Sequence, residues 1–190
     1  AARRHRGVAA VLKRALVIVD FQNDFTPGGA LAVPDGDKIA DRVNELAASG
    51  DFDLVVATRD WHPPNHGSFA EQGGPWPVHC VAGTEGAQLH PALDQSKVDV
   101  IVDKGQSPDT DGYSGFEGTE LESLLRERGI THVTVVGLAT DYCVKNTALD
   151  ALRKGFNVTV DTAAVRGVDV HEGDSERALD EIRAAGGVMA

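Results

Sequence analysis

The chain has little that would tie it to a membrane, to nucleic acid or to an oxidising compartment. Its longest apolar runs fall far short of the roughly 20 residues needed to span a bilayer. Basic residues are outnumbered, 18 Lys and Arg against 29 Asp and Glu, for a formal charge of −11. That balance disfavours a phosphate backbone or an anionic lipid surface as partner. Two cysteines in 190 residues make no disulfide framework, so a reducing cytoplasm is expected. The only basic cluster, Arg3-Arg4-His5-Arg6, precedes a short apolar stretch broken by Gly7 and lacks a convincing cleavage site. Residues 1–13 are read as a tail and residues 14–190 as one domain.

What is present is a repeating rhythm of short β-branched runs and longer amphipathic segments. Ala15–Val19, Leu54–Ala57, Val98–Val102, Val133–Val136 and Val158–Val160 read as buried strands, with Gly187–Met189 starting a sixth. Between them, Asp37–Ala48, Thr119–Arg128, Asp141–Lys154 and His171–Ala185 carry apolar residues at helical spacing. The pattern predicts an α/β fold: a single doubly wound domain with a six-stranded parallel sheet and helices on both faces. Residues 60–95 break the rhythm with prolines, glycines and both tryptophans. A loop that long in a compact domain is usually functional, and Trp61, Phe69 and Trp76 argue for order. The Gly-rich stretch 105–118 is a second such loop.

Cys143 stands where the fourth strand hands over to a helix, with Thr140 or Asp141 as candidate N-cap. Helix N-termini favour a thiolate, so a nucleophile is one reading; a small packed thiol is the other. Parallel sheets bind ligands at the carboxyl ends of their strands. Asp20, Asp60 and Lys104 each follow a strand, so they are expected to share that edge with Cys143. In the long loop, Asp60-Trp61-His62 puts a carboxylate and an imidazole on one side of an extended segment, and His79 follows. Two histidines and one carboxylate suit zinc, manganese or iron(II) with coordination positions left open. His66 and Glu71 are further candidates for a fourth ligand or for holding a bound water. Cys80, His5, His90, His132 and His171 are read as packing or surface residues.

Four separated blocks in this order resemble the isochorismatase-like cysteine hydrolases. They are Val17–Phe25 followed by Gly28–Leu31, then Thr58–Pro63 with Gly74–Cys80, then Tyr113–Gly118, and last Gly137–Val144. The second block is similar to the metal-binding segment of nicotinamidases within that superfamily, and the resemblance spans about residues 14–190. It implies an amidohydrolase that converts nicotinamide to nicotinate and ammonia, in NAD salvage, and also deamidates pyrazinamide. In that reading Cys143 attacks the amide, Asp20 is the base and Lys104 supports both. Backbone N–H groups of Ala139 and Cys143 form the oxyanion hole, with a cis peptide at Leu138–Ala139. Asp60, His62 and His79 hold a divalent ion, zinc first among those suited. Phe25, Trp76 and Tyr113 surround the ring, and Tyr142 tunes the pocket. The alternatives keep the fold and change the substrate, to another amide or to isochorismate, or leave the fold without activity as a binding module. An iron(II) oxygenase would leave Cys143 idle. The expected partner is a small molecule, and a homo-oligomer is compatible with the chain.

Overall fold

The computed structural model describes residues 12–190, so the segment read as a tail lies almost wholly outside the described residues. Among the described residues six strands form one sheet: β1 (Arg14–Val19), β2 (Leu54–Asp60), β3 (Val100–Lys104), β4 (His132–Leu138), β5 (Asn157–Arg166) and β6 (Val188–Met189). All pairings are parallel, in the order β3-β2-β1-β4-β5-β6. The expected doubly wound sheet is therefore the observed one.

β1 shows why the apolar runs are strands. Ala15 through Val19 are wholly buried. Side-chain alternation sends Ala15, Val17 and Val19 to one core and Leu16 and Ile18 to the other. The first core is covered by α2 (Leu121–Glu127), α3 (Lys145–Arg153) and α4 (Asp174–Ala184), through Leu121, Leu125, Ala148, Ala151 and Ile182. The second is covered by α1 (Ala40–Ala48), through Ala40 and Val43, together with loop residues from 80 to 93. Each fully buried aliphatic side chain contributes about 1.5–3 kcal/mol of transfer free energy.

The element ends differ from the expected ones in ways that bear on function. β2 continues to Asp60 and β3 to Lys104, so both polar residues are the last of their strands and stand side by side in register. β5 is ten residues long, and its pairing with β4 shifts register between Val135 and Gly137. Gly137 has φ +114°, and a Cβ there would run into the Val19 backbone. This close approach brings the ends of β1 and β4 together. The helix expected from Asp37 opens instead with a 3-10 turn, Gly36–Ile39, and the one expected from His171 begins at Asp174.

The largest correction falls at the fourth strand's exit. Thr140–Val144 is a single π-helical turn leading into α3, so Cys143 is not in the first turn of a regular α-helix. Ala139 is the N-terminal boundary and has no side-chain cap. The Asp141 carboxylate, expected as a cap, accepts instead from Val168 N–H (2.9 Å) and Asp169 N–H (2.8 Å). Those donors come from the loop between β5 and α4, and they pin it beside the turn. The Leu138–Ala139 peptide is cis, as the resemblance implies.

Candidate active site at the carboxyl edge of the sheet

Strand order reverses between β1 and β4, and the crevice at such a reversal is where open α/β sheets bind ligands. Asp20 leaves β1 there, and the turn bearing Cys143 leaves β4. Asp20, Lys104 and Cys143 are at most 6% exposed, and Asp60, His62 and His79 at most 5%. Sheet order thus gathers residues that are far apart in sequence.

Lys104 is the hub. Its ammonium donates to Asp60 Oδ1 (2.5 Å), to the Gly112 carbonyl (2.6 Å) and to Cys143 Sγ (3.4 Å). Asp20 Oδ2 lies 2.8 Å from the same Nζ as an ion pair but receives no aligned hydrogen bond. The other Asp20 oxygen accepts from the Thr58 hydroxyl at 2.8 Å. One carboxylate oxygen is therefore anchored by a hydroxyl, and the other sits in the Lys104 ion pair without a hydrogen bond. The carboxylate lies within 4.8 Å of Cys143 Sγ.

The electrostatics follow from burial and from this one cation. Burial raises the Asp20 pKa more than Lys104 lowers it, giving a carboxylate more basic than usual. Burial also opposes ionisation of Asp60, but Lys104 and His62 outweigh it and hold its carboxyl well below the usual range. Burial works against the Lys104 charge as well; Asp20 and Asp60 overcome it and keep the ammonium protonated. For Cys143, desolvation dominates and Asp20 and Asp60 add to it, so its pKa is pushed well up despite Lys104. The sequence position suggested a thiolate stabilised by a helix start. In the structure, burial beside two carboxylates works against that thiolate, and Asp20 stands by as a base.

On the other side of Asp60 lies the histidine pair. His62 Nδ1 bonds the Gly105 carbonyl (2.7 Å) and His79 Nδ1 bonds the Pro77 carbonyl (2.8 Å). A carbonyl only accepts, so each Nδ1 carries a proton, and in the neutral ring the lone pair is on Nε2. Both Nε2 atoms face Asp60 Oδ2, at 3.3 and 3.9 Å. One donor atom from each of the three residues lies within 4.8 Å of the others. Rings fixed by a carbonyl on the far nitrogen are the usual arrangement of metal-binding imidazoles. The donor set fits a divalent cation.

Neither His66 nor Glu71 joins this set. Glu71 is exposed on the 3-10 turn Ala70–Gln72. His66 is fully buried with both nitrogens hydrogen-bonded elsewhere. Cys80 is a packed residue as read, with its thiol pushed up by burial. His90, also read as packing, stacks on Phe21.

One pocket connects the two halves of the site. Cys143 and Ala139 line it together with Asp60, His62 and His79. Phe25, Trp76, Tyr113 and Tyr142 contribute aromatic walls, and Leu31, Val33, Leu138 and Val168 the aliphatic ones. The Trp76 indole N–H donates to the Tyr113 hydroxyl (2.9 Å), linking the two long loops. Tyr142 packs edge-on to Trp76 and tilted against Tyr113.

Sequence reasoning missed the supports. The Gln22 amide donates to the Asp60 and Ala87 carbonyls and accepts from Asp60 N–H, replacing a strand neighbour for Asp60. Asp24 accepts from the N–H of Cys80, next to His79. Both residues stood within the first matching block, which was the only signal available for them. Ser68, Asp111 and Val168 line the pocket and carried no signal.

The chain belongs to the isochorismatase family: the model of the isochorismatase domain matches residues 14–190. It is similar to the nicotinamidase of Escherichia coli (strain K12), at 45% identity over 93% of each chain. Among solved structures it is similar to the pyrazinamidase of Pyrococcus horikoshii in complex with zinc. That likeness has a TM-score of 0.86 and 49% identity, covering 94% of this chain and 98% of the other. It is also similar to PnC1 from L. infantum in complex with nicotinate, with a TM-score of 0.89 and 38% identity, covering 94% and 92%.

Proposed function

We propose that this chain is a metal-dependent nicotinamidase, hydrolysing nicotinamide to nicotinate and ammonia through a thioester on Cys143 and accepting pyrazinamide as well. One observation carries the reading. A single aromatic-walled pocket has a bare-nitrogen metal set at one end and a thiol with its own base at the other. A ring with a nitrogen on one side and a carboxamide on the other spans those two ends. The family membership and the likeness to a nicotinamidase and to a nicotinate complex support it.

Asp60, His62 and His79 would hold a divalent ion, zinc by the likeness to the zinc complex, and when bound it would supply Lewis-acid chemistry toward the substrate ring. Phe25, Trp76 and Tyr113 fix the plane of the ring, which sets the carboxamide carbon against Cys143. As Sγ attacks, the thiol proton passes to the free oxygen of Asp20. The Ala139 carbonyl accepts from the N–H groups of Tyr142 and Val144, on either side of Cys143. The N–H groups of Ala139 and Cys143 serve the developing oxyanion. Asp20 then gives its proton to the departing ammonia, the C–N bond breaks and the thioester remains. Water, deprotonated by Asp20, attacks the thioester carbon; the C–S bond breaks, Cys143 recovers its proton and nicotinate leaves. Lys104 stays charged throughout and keeps Asp20 and Cys143 in register.

The two ends of the pocket are expected to separate under mutation. His62→Ala removes one of the donors that face Asp60 Oδ2 but leaves Asp20, Lys104 and Cys143 in place. Bound metal per chain should fall, the KM for nicotinamide should rise, and Cys143 should still react with a neutral alkylating agent. Elemental analysis, steady-state kinetics and alkylation measure the three; unchanged metal content would remove His62 as a ligand.

A further inference from the structure

His66 is the one buried histidine of the loop that the proposed chemistry leaves unused. It is 0% exposed, and its ring lies 3.8 Å from that of His62, centroid to centroid, at an interplanar angle of 20°. Its Nε2 sits 2.7 Å from the Thr110 carbonyl. Because a carbonyl can only accept, Nε2 carries the proton and Nδ1 the single lone pair of the neutral ring. That lone pair is already occupied: it faces the Ser68 hydroxyl at 2.6 Å and the Ser68 N–H at 3.2 Å. No donor electrons remain for a metal.

The same ring ties two segments together. Gly67 N–H donates to the Pro108 carbonyl (2.9 Å), so the 63–69 and 105–112 stretches are joined at His66 and again one residue later. The 105–112 stretch begins with Gly105, whose carbonyl orients His62, and ends with Gly112, whose carbonyl receives Lys104. The Gly105 backbone is packed so closely on the His62 ring that a Cβ there would meet its imidazole carbon at 2.5 Å. His62 is thus held between Gly105 at its edge and the His66 ring on its face. Phe69 meets the His62 and His66 rings edge-on and closes the stack.

We propose that His66 is a positioning residue: a stacked, doubly hydrogen-bonded plate that fixes the His62 ring for metal binding and clips the 63–69 segment to the 105–112 segment, without ligating the ion itself. The proposal rests on the reading of Asp60, His62 and His79 as the metal set. Loss of an outer-shell partner typically weakens metal affinity about 10–100-fold.

The test uses the full chain and zinc alone, with no substrate. Zinc affinity is measured by competition with a chromophoric chelator, and the number of imidazole ligands by X-ray absorption, for the native chain, His66→Phe and His66→Ala. His66→Phe keeps a flat face against His62 and loses both polar contacts; His66→Ala loses the face as well. The expected result is two imidazole ligands in all three proteins, with affinity reduced about 10-fold or more in His66→Ala and less in His66→Phe. A general loss of structure would weaken both variants alike and lower their melting temperatures together, which would contradict a role specific to the stacked face. Three imidazoles in the native chain, or the loss of one in the variants, would make His66 a ligand and overturn the proposal. Affinity unchanged in His66→Ala would overturn it too. A native chain that binds no zinc would instead overturn the metal-set reading, and the proposal with it.

Discussion

Replacing Cys143 by alanine removes nicotinamide hydrolysis while the chain still folds and still binds its metal. Sγ occupies a site where Lys104 Nζ approaches to 3.4 Å and the free oxygen of Asp20 is at hand. The two histidine donors face the Asp60 oxygen other than the one that accepts from Lys104. Removing the nucleophile from a triad that acts as a unit costs typically 10⁴-fold or more in kcat, so the expected loss is at least about 10⁴. Ammonia release under saturating nicotinamide measures it, and zinc content and nicotinate binding measure what should be spared. Serine at the same position retains the shape but gives a far less nucleophilic group at neutral pH, so it is expected to stay near the alanine level. Turnover within tenfold of the native rate in Cys143→Ala would remove the cysteine mechanism.

The second large effect is expected at Lys104, and it reaches stability as well as rate. One ammonium neutralises two carboxylates that are themselves buried, Asp20 at 2.8 Å and Asp60 at 2.5 Å. Lys104→Met keeps the length of the side chain and leaves both carboxylates without their cation. Breaking a buried pair by removing one partner costs about 3–5 kcal/mol, because the remaining charge stays desolvated. Urea unfolding should therefore show a clearly lower midpoint with an unchanged slope, and activity should fall with it. Adding Asp20→Asn to Lys104→Met removes one stranded charge and should recover part of the stability but none of the rate. A single variant as stable as the native chain would contradict the hub arrangement.

Much of this site was legible because a parallel sheet converts sequence order into spatial order. The apolar runs ending near Asp20, Asp60 and Cys143 are recognisable as strands buried on both faces, whereas β3, at the edge of the sheet, leaves Ile101 exposed before it reaches Lys104. Because these strands pair in parallel, their carboxyl ends lie along one edge. The pairing of Asp60 with His62 was legible from Asp60-Trp61-His62, since residues two apart on an extended chain point the same way.

The rest depended on contacts between distant backbone atoms, which leave no periodic trace. The π turn at Thr140–Val144 is held by the Asp141 carboxylate reaching residues 27 and 28 positions away. Local spacing there reads as an ordinary capped helix. His66 resembles a fourth ligand in sequence, four residues after His62. The Thr110 carbonyl and the Ser68 hydroxyl, which occupy its nitrogens, come from turns with no pattern of their own. Gln22 and Asp24 support Asp60 and the His79 segment across 38 and 56 residues. The environment of the thiol is likewise set by residues distant in sequence. A helix start favours a thiolate, whereas burial beside Asp20 and Asp60 pushes the Cys143 pKa up.

The central claim is that Cys143 carries the acyl group of the substrate between the two halves of the reaction. Rapid-quench mass spectrometry during turnover of nicotinamide tests it directly, with the peptide containing Cys143 isolated and sequenced. The account predicts one nicotinoyl group on Cys143, absent from Cys80, appearing before nicotinate and discharged as nicotinohydroxamate when hydroxylamine is added. Rapid production of nicotinate with Cys143 unmodified at every time point, and with turnover indifferent to its alkylation, would contradict it.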